Sequence, residues 1–149
     1  MKVLVQRCKK AKVTVNNNIV GSIDKGMMIL VGFTKGDSEK EIDYLINKIL
    51  NLRIFDDEDG IMNRNIKQDG GSILSISQFT LYANTDKGNR PSYIEALESN
   101  KAKILYELFN EKLSKEIKVE TGMFGEDMQV DFINDGPVTI LLEREDKNV

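Results

Sequence analysis

The sequence predicts an α+β fold, and three observations carry that prediction. Hairpin-forming strands dominate the chain up to Phe33. Only two stretches place apolar residues at helical spacing. The strands and helices do not alternate in the regular way that βαβ units require.

The elements follow in order. Lys2 to Cys8 and Lys12 to Val15 are rich in Val and Leu and read as strands. Asn16-Asn17-Asn18 reads as a turn, because Asn tolerates left-handed backbone angles. Ile19 to Ile23 then pairs back as a hairpin partner. Asp24-Lys25-Gly26 turns again into the apolar strand Met27 to Phe33.

There the period changes. Ser38 and Glu41 have the spacing of a capping box, and Ile42, Leu45, Ile46, Ile49 and Leu50 follow at helical spacing. This predicts a helix over Ser38 to Asn51. Leu52 to Phe55 reads as a short strand, Lys67 to Gly71 as a loop, and Ser72 to Gln78 as a strand. Thr85 to Arg90 is a polar loop. Ser92 and Glu95 repeat the capping spacing, so a second helix is expected from Pro91. Its apolar stripe is Ile104, Leu105, Leu108, Phe109 and Leu113, after a break near Asn100. Ile117 to Glu120, Met128 to Ile133 and Val138 to Glu143 complete the strands, and 145–149 is expected to fray.

The bulk numbers bound the function. The 149 residues suit one domain over 1–149 with one real core. Apolar content of 40% and charged content of 30% are ordinary for a globular protein and argue against wholesale disorder. Met27 to Phe33 is too short to span a bilayer, and the start lacks a signal-peptide pattern. The single Cys8 cannot form an internal disulfide. A cytoplasmic protein with no membrane partner is expected. Net charge is −3, so any RNA contact is small or local. The basic cluster Arg7, Lys9, Lys10 and Lys12 reads as a solvated strand edge, or else as a phosphate contact beside a site.

The chain has no histidine. That removes the usual general base, Ser-His-Asp triads, Cys-His dyads and the common zinc sites. Phosphate-binding and dinucleotide-binding glycine loops are missing too. Asp56-Asp57-Glu58-Asp59-Gly60 fails as a calcium loop, because Gly60 as sixth residue would put Phe55 first and Ile66 twelfth. It reads as an acidic turn. No metal and no cofactor are expected.

Two segments remain. Ser77-Gln78-Phe79-Thr80-Leu81 reads most simply as a strand end, with Phe79 and Leu81 facing the core. Its functional reading is a hydroxyl and an amide beside exposed backbone N–H groups that stabilise a developing oxyanion. Thr80 lacks a base, which weakens a covalent nucleophile there. Asn134-Asp135-Gly136-Pro137-Val138-Thr139 reads most simply as a hairpin turn. Its functional reading rests on Gly136-Pro137, the type of bond that adopts cis at modest cost and redirects the neighbouring carbonyls.

Together, in this order and in a chain of this length, Ser-Gln-Phe-Thr and Asn-x-Gly-Pro-Val-Thr resemble the D-aminoacyl-tRNA deacylase family. Met1 to Arg7, Asn51 to Phe55, Lys87 to Ser92, and Phe124-Gly125 with Met128 also look like the family. Glu126 departs from it, standing where alanine is expected after Phe-Gly; if that position helps shape the route of the nucleic acid, a carboxylate there alters the RNA contact. The resemblance implies a strand-rich, barrel-like homodimer that hydrolyses the ester between tRNA and a D-amino acid or glycine. It implies a cis Gly136-Pro137 that reaches into the partner's site and excludes L-amino acids, with Arg7 fixing that loop. It also implies that Phe79 N–H, with Ser77, Gln78 and Thr80 nearby, lines the scissile ester, and that the terminal ribose 2′-hydroxyl assists the water. Two other classes stay open from the residues alone: a non-catalytic RNA-binding or dimerisation module, and a hydrolase with Thr80 as nucleophile.

Overall fold

The structure, a computed structural model, describes residues 1–145. The element order is β1 (Lys2–Val15), β2 (Asn18–Ile23), β3 (Gly26–Gly32), α1 (Glu39–Asn51), β4 (Phe55–Asp56), β5 (Met62–Arg64), α2 (Ile66–Asp69), β6 (Ser72–Ser77), α3 (Ser99–Ser114), β7 (Val119–Thr121) and β8 (Gln129–Glu143). A 3₁₀ helix, Phe79–Tyr82, follows β6. The expected fraying at 145–149 concerns 146–149, which lie outside the described residues.

β1 is one strand of 14 residues, not two. Asn16 and Asn17, with φ of 47° and 66°, turn the chain back into β2. The pairings Val13↔Gly21 and Cys8↔Gly26 share one register, so β2 and β3 run in the same direction along β1. Asp24-Lys25 therefore interrupts a single antiparallel partner rather than reversing the chain. β8 pairs with the other side of β1. β6 lies parallel to β3, and β7 parallel to β6, giving the order β2-β1-β3-β6-β7. A Cβ on Gly21 of β2 would come within 2.6 Å of the Thr121 carbonyl of β7, so the far strands nearly meet. Among the described residues the result is a nearly closed strand barrel with three α-helices.

The core divides on the two faces of the sheet. Val3, Val5, Met27, Ile29, Val31 and Ile73 face α1 and α3, whose Ile42, Leu45, Ile49, Phe109 and Leu113 cover them. Cys8, Ala11, Val13, Met28, Leu74 and Ile76 fill the barrel interior. A sheet buried on both faces explains the unbroken apolar run of β3.

α1 begins at its capping box: the Ser38 N–H and hydroxyl donate to Glu41 Oε2 at 2.7 and 2.8 Å. Several expectations are corrected. Leu52 to Phe55 is not a strand; β4 starts at Phe55 and pairs with β5 around the acidic turn. Residues 67–71 hold most of α2, capped by Asn65 and ended by Gly70 at φ 72°. Pro91 to Glu98 is not helical. There Asn84 and Ser92 exchange two backbone hydrogen bonds of 2.8 Å, Ala96 bridges Thr34, and Leu97 N–H donates to Phe33 O, so α3 starts only at Ser99. Ile104 is exposed, and the buried stripe of α3 is Ala102, Tyr106, Phe109 and Leu113. Phe79 leaves the core for the surface.

The largest correction concerns β8. Gln129 to Ile133 and Val138 to Glu143 belong to one strand of 15 residues that starts just after Met128, and 134–139 is a bulge within it rather than a hairpin turn. Gln6 pairs with Thr139 and Cys8 with Asn134, so two steps along β1 match five along β8. β1 is thus flanked on both sides and is no edge; Arg7 is buried while Lys9 and Lys10 are exposed.

Candidate active site

A cavity of about 610 Å³ opens where β3 and β6 end. Val31, Ile76, Ala102 and Met128 supply apolar wall, and Ser77, Gln78 and Phe79 line it from the end of β6. Gln78 N–H completes the sheet by donating to Val31 O at 2.8 Å. The chain then turns into the 3₁₀ helix. Gly32 permits this close approach, since a Cβ there would lie 2.9 Å from Gln78 O and 3.2 Å from Leu81 Cβ.

The first N–H groups of a 3₁₀ turn have no acceptor within it. Phe79 N–H has none among the described residues. It stands beside the cavity as an available donor. The Gln78 side-chain amide donates to Thr80 Oγ1, which fixes the amide's direction. Thr80 itself is half-buried and does not line the cavity.

Tyr93 stands across from Phe79. Their rings meet edge to face, with centroids 5.0 Å apart and planes at 71°. Sequence reasoning had placed Tyr93 on a helix and missed it; an aromatic residue just after a polar loop was the available signal. Glu98, Glu126 and Asp127 also line the cavity, so its lining carries three carboxylates and no cation. Glu126, the departure from the family pattern, therefore borders the cavity.

Arg7, Gly136 and Pro137 form a second, separate cluster. Gly136-Pro137 is cis, and both residues are exposed on the β8 bulge. Asn134 closes the bulge: its Oδ1 accepts from Val138 N–H at 3.3 Å and its Nδ2 donates to Thr139 Oγ1 at 3.1 Å. Arg7 holds it from below, with Nε donating to Asp135 O at 3.1 Å and Nη1 to Ile54 O at 2.7 Å. Asp56 and Asp135 carboxylates lie 3.4 and 3.6 Å from the guanidinium.

The two clusters do not meet within one chain. Arg7 pairs with Met27, whereas Val31, four residues further along β3, pairs with Ser77. That offset is roughly 13 Å along the strands; β8 reaches the cavity at Val130, but Arg7, Gly136 and Pro137 do not line it.

A largely apolar cavity with a free backbone N–H beside it, a fixed amide and no histidine is suited to hydrolysing an activated acyl ester by orientation and oxyanion stabilisation. Residues 4–143 match the family model described as D-Tyr-tRNA(Tyr) deacylase, and the chain belongs to that family. A solved structure described as c-Myc DNA Unwinding Element Binding Protein is similar over 98% of this chain and 100% of that one, at 39% identity and a TM-score of 0.93. A probable eukaryotic D-amino acid tRNA deacylase shares the fold, with 16% identity, a TM-score of 0.80, and coverage of 95% and 97%.

Proposed function

We propose that this protein hydrolyses the ester of D-aminoacyl-tRNA, and of glycyl-tRNA charged on a non-cognate tRNA, releasing tRNA and the free amino acid. The observation that carries the proposal is the unpartnered Phe79 N–H beside the cavity, within an intact Ser-Gln-Phe-Thr motif. Water attacks the ester carbonyl carbon. The negative charge that develops on the carbonyl oxygen is met by Phe79 N–H, a contribution worth roughly 3 kcal/mol for one donor. The C–O bond to the terminal ribose then breaks, and the ribose oxygen takes up a proton. The neighbouring 2′-hydroxyl orients the water, so no imidazole is needed.

Stereochemical choice falls to Gly136-Pro137 of a second copy. One chain's Gly136-Pro137 does not line its own cavity, which supports a site completed across a homodimer. β8 supports it as well: among the described residues it pairs only with β1, Val130, Phe132, Ile140 and Leu142 are only half-buried, and Ile133 and Leu141 are exposed. Rigid backbone from the partner clashes with an L side chain and leaves a D side chain or glycine free. Sedimentation at micromolar concentration is expected to give twice the 16.9 kDa chain mass; a monomer would remove the partner-loop account. The reading places the protein in the cytoplasm, where charged tRNA is used. No helix among the described residues is long and apolar enough to cross a membrane.

The second reading is a nucleic-acid-binding module without catalysis, favoured by the description of the 39% identical structure as a DNA-binding protein. Loss of ester from D-tyrosyl-tRNA above a heat-inactivated control supports the deacylase. Saturable binding without turnover supports the module. Appreciable turnover by Thr80→Ala eliminates a covalent threonine.

A further inference from the structure

Beyond the cavity that holds the acyl group, the structure carries a second feature that the proposed chemistry does not use. The segment from Asn84 to Leu97 is a strap pinned at several places. Asn84 and Ser92 bridge at its base, and Asn84 Oδ1 accepts from Asp86 N–H at 2.8 Å. Beyond Tyr93, Ala96 bridges Thr34 and Leu97 N–H donates to Phe33 O at 3.0 Å. Tyr93 is therefore held by backbone on both sides, yet the residue is 43% exposed. Phe79 beside it is 53% exposed. Two large aromatic rings kept in solvent at the mouth of a cavity lose apolar burial, unless a flat partner covers them.

The same strap carries Lys87 and Arg90, both exposed and neither in an ion pair among the described residues. The charged side chains of the cavity lining are all carboxylates, so a phosphodiester chain arriving there finds its cations on the strap. Lys87 and Arg90 precede Tyr93 by six and three residues, and an aromatic face with unpaired cations on one short segment supplies the components of a single-strand binding surface: bases stack on the rings, and phosphates meet the charges.

We infer that the strap, through Tyr93 on Phe79 and through Lys87 and Arg90, grips the unpaired 3′ end of tRNA next to the nucleotide that enters the cavity. Tyr93 supplies a stacking face for a neighbouring base. Lys87 and Arg90 neutralise the phosphates that flank it. This rests on tRNA being the partner under the proposed function, but not on any step of the hydrolysis.

The test is binding of deacylated tRNA, followed by fluorescence anisotropy across a salt series. Wild type is compared with Tyr93→Phe, Tyr93→Ala and the double variant Lys87→Ala/Arg90→Ala. Tyr93→Phe should bind within twofold of wild type. Tyr93→Ala should bind on the order of tenfold more weakly, with the salt slope unchanged. The double variant should lower the slope of log K against log salt by about 1.4, or roughly 0.7 per phosphate contact on a single strand. On tRNA trimmed of its unpaired 3′ end, Tyr93→Ala and wild type should converge. Equal binding by Tyr93→Ala and wild type on intact tRNA, an unchanged slope in the double variant, or a difference that persists on trimmed tRNA would each overturn the inference. So would absence of tRNA binding by wild type. The double variant alters only exposed side chains, so it reads the inference even if Tyr93→Ala fails to fold. Because the tRNA is uncharged, a wild type that binds it but hydrolyses no D-aminoacyl ester would refute the proposed function and leave this inference standing.

Discussion

Arg7 on β1 holds Asp135 on β8 by its backbone: Nε donates to the Asp135 carbonyl at 3.1 Å while Nη1 donates to Ile54 O at 2.7 Å. One buried guanidinium thus ties the β8 bulge to the loop that precedes β4. A fork with several donors suits this; a lysine ammonium reaches only one such acceptor well.

Replacing Arg7 by alanine leaves both carbonyls without that donor and should cost about 2–3 kcal/mol. Arg7→Lys should cost less but still displace the bulge. Thermal unfolding measures the first effect. The second should appear as reduced discrimination between D- and L-tyrosyl-tRNA at preserved fold. Unchanged discrimination in Arg7→Lys would show that the bulge needs no fork.

Gly136 has φ 126°, and a Cβ there would lie 2.9 Å from Val138 Cγ2 and 3.2 Å from Arg7 Nη2. Gly136→Ala should therefore shift the bulge, while the exposed setting spares the core. Because small displacements of positioning groups are costly, discrimination between D and L esters should fall at least tenfold. The check is paired kinetics on both esters, with circular dichroism to verify folding.

Burial alone would raise the Glu41 pKa, but hydrogen bonds from the Ser38 hydroxyl and N–H outweigh it and hold it below the ordinary value. For a carboxyl with a depressed folded pKa, the contribution is full above the unfolded value of 4.5 and is lost as pH falls through the folded one. Glu41→Gln should cost about 1 kcal/mol at pH 7. The gap in Tm between wild type and variant should close on acidification; a gap independent of pH would argue against the charged cap.

Burial pushes the Cys8 thiol up to about 11. The native protein should resist thiol reagents at pH 8, with modification appearing only in denaturant. Rapid labelling of the folded protein would contradict the tight interior of the barrel around Cys8.

The first helix was legible because Ser38 and Glu41 act locally, within one turn. The same spacing at Ser92 and Glu95 misled, since bridges to Asn84 and Thr34 are long-range and override a local cap. The short helix at Ile66 carries an Asn-x-x-Gln cap at Asn65 and Gln68, but its four residues are too few to show a helical apolar stripe. β8 was unreadable as one strand because Asp-Gly and Pro signal a turn. Only its partner β1 reveals that the chain continues straight and sheds the extra residues as a bulge. Gln78 and Phe79 line the cavity and stand out in the sequence through their motif. Tyr93 lines it too but does not stand out, because it meets the Phe79 ring only across space.

The most direct measurement is ester loss from matched D- and L-tyrosyl-tRNA incubated with the purified protein. The account predicts fast loss of the D ester and none of the L ester above the uncatalysed rate. Equal loss of both would contradict the stereochemical filter, and loss of neither from a folded protein that binds tRNA would contradict the deacylase itself.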